Sequence, residues 1–191
     1  MQLRFLGDSF DIVKKCLLGW LESCGPWSAL PMFTEQVSPE QVQAFERLIG
    51  VPLISQEVLS ADTDRAKYFA CARDCRNHLF IDPDTGLRLK VKRGKDAPLY
   101  LFGPELVAIA SARPERLTLV FDKSVARGRE EEQLRAKLKT LSSEGIHGVA
   151  YVSHACFLLV GRNSALVDRA TQALLEESKL PEERFVKTET R

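Results

Sequence analysis

His78-Leu79-Phe80-Ile81-Asp82-Pro83-Asp84-Thr85-Gly86 is the stretch on which the fold turns. Its apolar run is too short for a helix and stops abruptly at turn chemistry, the pattern of a strand covered on both faces. Two further segments repeat the arrangement of an apolar strand closed by an aspartate. Residues 117–121 end at Asp122, and residues 3–6 are followed by Gly7 and Asp8. Residues 27–33 make a fourth apolar run, which Pro31 shortens or pushes to an edge. Residues 53–58 and 99–102 are shorter strand candidates.

Helical patterns lie between these strands. Phe10, Val13, Leu17, Trp20, Leu21 and Cys24 recur at helical spacing, with Asp8 or Ser9 as the cap and Gly25-Pro26 as the stop. Ser38, Pro39 and Gln41 open a second helix with a capping box, and Gly50 closes it. Residues 63–72, 103–112 and 130–143 also read as helical, and Asn163 or Ser164 caps a last helix. Near the end, residues 149–152 and 156–160 form a hairpin around Ser153-His154. Strands alternating with helices predict an α/β fold: a mainly parallel sheet, helices on both faces, and a C-terminal antiparallel hairpin edge. Residues 1–181 form a single domain in this reading, and residues 182–191 a polar, frayed tail.

Composition agrees with a packed domain. The chain has 191 residues, 45% hydrophobic and 28% charged, with a net charge of +1. A chain of this length buries roughly 70% of the surface its unfolded form exposes, so it folds without disulfide or metal staples. The net charge excludes a protein that grips nucleic acid by bulk electrostatics; any such grip needs a local patch. The five cysteines are odd in number and irregular in spacing, which points to reduced thiols and a cytoplasmic setting. No apolar run has the length of a membrane span, so no membrane partner is expected.

In a parallel sheet the carboxyl ends of the strands share one rim, where open α/β folds place their sites. Asp8, Asp82 and Asp122 converge there if their strands are neighbours, with Asp84 and Asp11 near by. Clustered carboxylates repel, and a hard divalent cation, Mg²⁺ or Mn²⁺, relieves the repulsion. That predicts a metal held by Asp8, Asp82 and Asp122, with Asp82 and Asp84 catalytic, activating water against a phosphate ester. The plainer reading makes Asp8 a helix cap and the Asp-Pro-Asp-Thr-Gly segment a hairpin turn.

Beyond Gly86, Leu87, Leu89 and Val91 alternate with Arg88, Lys90 and Lys92, a strand with one basic face. Lys90 and Lys92, with Lys14 from the first helix, are the expected phosphate ligands, and Lys15 and Lys123 add positive charge. The partner is then a nucleotide or nucleic acid. A lysine-protected edge strand is the bland alternative. Cys71 and Cys75, four apart with His78 after them, lack the paired spacing of a zinc site. His154 beside Ser153 reads as a solvated turn residue. Neither a phosphate loop nor a nucleophile elbow is present.

Gly7-Asp8-Ser9-Phe10-Asp11-Ile12-Val13-Lys14 and Asp82-Pro83-Asp84-Thr85-Gly86 resemble the Gly-Asp-x-x-Asp-x-x-Lys and Asp-Pro-Asp-[Asn/Thr]-Gly motifs of a group of uncharacterised bacterial proteins, a resemblance that implies no activity. The Asp82-Pro83 step is also similar to the Asp-Pro-Pro-Tyr segment of nucleic-acid methyltransferases with Rossmann-like folds. That likeness implies an S-adenosylmethionine cofactor, although Asp84-Thr85 replaces the Pro-Tyr pair and the first strand has no glycine-rich turn. Three functions therefore stand as expectations. The first is a metal-dependent phosphoester hydrolase acting on nucleic acid or a nucleotide. The second is a methyltransferase-like protein, active or not. The third is a non-catalytic interaction module with an exposed patch near Trp20 or Trp27.

Overall fold

A computed structural model describes residues 6–187. The predicted strand at residues 3–6 falls almost wholly outside the described residues. The chain then runs through α1 (Ser9–Trp20), β1 (Trp27–Leu30), α2 (Pro39–Ile49), two short helices α3 (Arg65–Tyr68) and α4 (Ala70–Asp74), and β2 (His78–Ile81). Next come β3 (Gly86–Arg88), β4 (Tyr100–Phe102), α5 (Gly103–Ala112), β5 (Thr118–Asp122) and α6 (Glu130–Ser143). The last elements are β6 (His147–Tyr151), β7 (Cys156–Gly161), α7 (Ser164–Ser178) and β8 (Phe185–Lys187).

Among the described residues the main sheet has six strands in the order β1-β2-β5-β7-β6-β8. β1, β2 and β5 are parallel, whereas the pairings β5–β7, β7–β6 and β6–β8 are antiparallel. The fold is thus mixed α/β, and the expectation of a mainly parallel sheet holds only for its first three strands. The hairpin forms, but not at an edge. β6 arrives by way of α6 one position beyond β5, and β7 returns into the gap between them. All six residues of β7 are buried. Its unbroken apolar run, Cys156 to Val160, is that of a central strand covered on both faces.

The edge is instead β8. Phe185 pairs with Tyr151 and Val186 with Ala150, and both β8 side chains are buried. Residues 185–187, read above as part of a frayed tail, therefore belong to the sheet. Residues 53–58 make no strand; only an isolated bridge joins Leu53 to Ala29.

Strand alternation sorts the core into two layers. Phe80, Leu119, Phe121, Phe157 and Leu159 face α1, α2 and α7, meeting Leu17, Phe45, Val167 and Leu174. Leu79, Ile81, Val120, Leu158 and Val160 face α4, α5 and α6, meeting Ala72, Ile109, Leu134 and Leu138. Helices on both faces are as predicted. Arg65 fastens α3 to α5 through a two-pronged pair with Glu105, at 2.6 and 2.8 Å.

Candidate functional site

Asp8, Asp82 and Asp122, the three aspartates expected to share a metal, are each engaged by different groups. Asp8 caps α1, its Oδ1 accepting from the backbone N–H groups of Phe10 and Asp11 at 2.9 and 3.1 Å. Asp82, just beyond β2, accepts from Lys14 Nζ at 2.8 Å. The same ammonium donates to Asp11 Oδ1 at 2.9 Å, and Asp11 Oδ2 accepts from the Gly7 N–H. Lys14, Asp11 and Asp82 are all buried, and Nζ lies 4.6 Å from the centroid of the Phe121 ring.

One cation between two carboxylates leaves this cluster one charge negative when all three are ionised. Burial alone would lower the Lys14 pKa, but the Asp82 and Asp11 carboxylates outweigh it and hold it above the usual lysine value. Burial pushes the Asp82 carboxyl up, and Lys14 opposes that rise.

Asp122, at the end of β5, is fully buried. Its Oδ2 takes Lys137 Nζ from α6 at 2.5 Å, and its Oδ1 takes the Ser124 N–H and hydroxyl at 3.0 and 2.6 Å. The Leu87 N–H adds a longer bond at 3.3 Å. Gly86 packs directly on this carboxylate with φ +140, where a β-carbon would overlap it and an L residue would be strained. Asp84 is half-buried in the bend between β2 and β3. The segment from Asp82 to Gly86 is not a hairpin turn, because β3 pairs in parallel with β4 in a separate two-stranded sheet. Among the described residues, no three His, Cys, Asp or Glu side chains group so as to hold a metal ion.

β3 ends at Arg88, so Lys90 and Lys92 do not share a strand face with it. They follow on an exposed loop, yet the structure brings them together. Arg88, Lys90, Lys92 and Lys137 line an open cleft of about 550 Å³ with Tyr100 and Ser124, and among the described residues no acidic side chain lines it. The Arg88 guanidinium stacks 3.7 Å from the Tyr100 ring centroid and donates to its hydroxyl. Lys137 is fixed by Asp122, the Leu87 carbonyl and Ser124. Lys14, the third expected phosphate ligand, is instead buried with its two carboxylates.

Tyr100 and Lys137 were not among the residues singled out from the sequence. Tyr100 carries no distinguishing local signal. Lys137 does: it lies three residues after Leu134 and four before Leu141, flanking the buried stripe of α6. A lysine in that position, under a sheet edge carrying aspartates, implies an ion pair.

The remaining candidates are local. His154 stacks on Phe10 at 4.8 Å, and its Nε2 lies 3.4 Å from Ser9 Oγ. Cys71 and Cys75 donate to the carbonyls of Tyr68 and Asn77 and are free thiols. Burial, with the Asp122 charge near by, pushes the Cys156 thiol up to about 11, where it stays protonated at neutral pH. Trp27 is buried and Trp20 half-buried, so neither heads an exposed apolar patch; the large apolar side chains most exposed are Ile12 and Val91. No described helix is long and apolar enough to cross a membrane. No protein-family model, curated protein or solved structure matches the chain.

Proposed function

We propose that this protein binds a phosphate-bearing ligand, a nucleotide or single-stranded nucleic acid, in the cleft between the β3–β4 connection and α6. The observation that carries the reading is the gathering of Arg88, Lys90, Lys92 and Lys137 around one open cleft without an acidic lining residue. Such a lining attracts phosphate oxygens, and the Arg88–Tyr100 stack adds a flat surface suited to a base or sugar. The net charge of +1 makes the attraction local to this cleft.

The proposal stops at binding. Hydrolysis by a metal on Asp8, Asp82 and Asp122 would require Lys14 and Lys137 to surrender carboxylates that they neutralise in water-poor surroundings, at a cost of several kcal/mol. The methyltransferase-like reading draws support from the Asp82-Pro83 step after β2 and from the late antiparallel hairpin β6–β7. Against it, the carboxyl end of β1, where the nucleoside would enter, is packed with Met32 and Phe33, both fully buried.

Fluorescence anisotropy with a labelled single-stranded hexanucleotide tests the proposal. With three free cations on phosphate, log K should fall against log salt with a slope of about −2. The double substitution Lys90→Glu, Lys92→Glu should weaken binding about tenfold or more and flatten that slope. S-adenosylmethionine, which carries no phosphate, should neither compete nor raise the melting temperature. A salt-insensitive affinity, or one unchanged in the double variant, contradicts the reading.

A further inference from the structure

The basic cleft does not end at Lys137. Leu89 forms its wall on one side and, on the other, the wall of a second, mainly apolar pocket of about 310 Å³ between α5 and α6. α5 contributes Pro104, Val107 and Ala108 to this pocket, α6 contributes Thr140 and Leu141, and Glu144, the residue that caps the end of α6, stands exposed at the rim. Leu89 is held against α5 because Gly103 has no side chain. A β-carbon there would press on the Leu89 carbonyl and Cα. Lys137 on α6 and Glu144 at its C-cap lie seven residues apart, about two helical turns, so the cationic end and the far rim of the pocket are separated by about 10 Å along the helix direction. That is the scale of a single nucleotide with its phosphates.

We infer that this pocket receives the base of the nucleotide whose phosphate lies on Arg88, Lys90 and Lys92, and that Glu144 selects guanine. The inference rests on the phosphate-binding reading of the adjoining cleft. A nucleobase has apolar faces and a polar edge. The faces suit walls of Leu89, Pro104, Val107 and Leu141, and the edge meets the one carboxylate at the rim. Glu144, when ionised, is an acceptor only. Guanine offers it two adjacent donors, the ring N–H and the exocyclic amino group, one for each carboxylate oxygen. Uracil and thymine offer a single N–H flanked by two carbonyls, which the carboxylate repels. Charge complementarity fixes the occupant: a bare apolar ligand would leave the cations unused, and a bare polyphosphate would leave the pocket empty.

Isothermal titration with GTP, UTP and inorganic tripolyphosphate tests the assignment, alongside thymidine hexamers with and without one central guanosine. Wild-type protein should bind GTP about tenfold or more tighter than tripolyphosphate, with UTP between, and should prefer the guanosine-containing hexamer. Whichever guanosine ligand binds tighter identifies the source, free nucleotide or strand. Ala108 is exposed, so Ala108→Phe fills the pocket without disturbing the core. It should lower GTP affinity to that of tripolyphosphate and leave tripolyphosphate unchanged. Glu144→Gln should narrow the GTP-to-UTP ratio. Equal affinities for GTP and tripolyphosphate, or no response to Ala108→Phe, overturn the base pocket while leaving the phosphate reading in place. Failure of every ligand to bind defeats the phosphate reading itself, and the pocket with it.

Discussion

Lys14 is the residue on which the carboxyl rim depends. It lies 2.9 Å from Asp11 and 2.8 Å from Asp82, out of water. Removing one partner of a buried ion pair costs far more than the pair contributes, because a charge is left without compensation. Lys14→Met leaves two carboxylates facing each other and should destabilise the fold by about 3–5 kcal/mol in urea at neutral pH. Asp82→Asn leaves a neutral Lys14–Asp11 pair and should cost only about 1–2 kcal/mol. The sign of the pH dependence follows from linkage. A carboxyl whose pKa is raised by folding binds more protons in the native state than in the unfolded one, so stability rises as pH falls. Burial already raises Asp82, and losing the lysine raises it further, so the Lys14→Met deficit should shrink between pH 7.5 and 5. Equal losses in the two variants would contradict this account. The sequence identified the acidic members of this rim but not their partners. Lys14 was legible in principle: it falls four residues after Phe10 and three before Leu17, on the buried stripe of α1. A lysine there needs a carboxylate.

At the scale of elements, what could be read from the sequence was what lies within one element. The α6 boundaries, the Ser38 capping box and the strand at 78–81 follow from local periodicity and caps, and the structure has them. What failed was order across the sheet. β6 and β7 were legible as a hairpin, but nothing local says that β7 inserts beside β5 or that Phe185 and Val186 return to pair with β6. Those are long-range choices made by burial. Likewise Leu87, Leu89 and Val91 alternate as a strand should, yet the ladder to β4 ends after three residues.

His78, the first residue of β2, ties the segment between α1 and β1 to the residue just before β5. Its Nδ1 accepts from the Leu117 N–H at 2.9 Å, and its Nε2 lies 2.9 Å from the Cys24 carbonyl, so the ring is neutral with the proton on Nε2. Burial lowers its pKa from the ordinary 6.5. The unfolded chain therefore takes up a proton as pH falls through about 6.5 while the native state resists it, and stability is lost in that window. The advantage of wild type over His78→Asn should narrow between pH 7.5 and 5.5 in thermal melts. A constant advantage would mean that folding leaves the imidazole unshifted, and a widening one that the fold favours the charged ring; either contradicts the prediction.

Across the whole molecule, charge is divided between interior and surface. Inside, Lys14 pairs with Asp11 and Asp82 and Lys137 with Asp122, while Arg88, Lys90 and Lys92 stand outside around a cleft with no acidic lining among the described residues. The chain is close to neutral, and this division is what leaves one face able to hold a polyanion. Residue-resolved NMR, following backbone amides as single-stranded hexanucleotide is added, reads the location directly. The account predicts that the largest shifts cluster at residues 87–92, 100 and 137–144, with residues 8–14, 82 and 154 unmoved. Shifts centred on Asp8, Asp82 and His154, or no shifts at any ligand concentration, would contradict it.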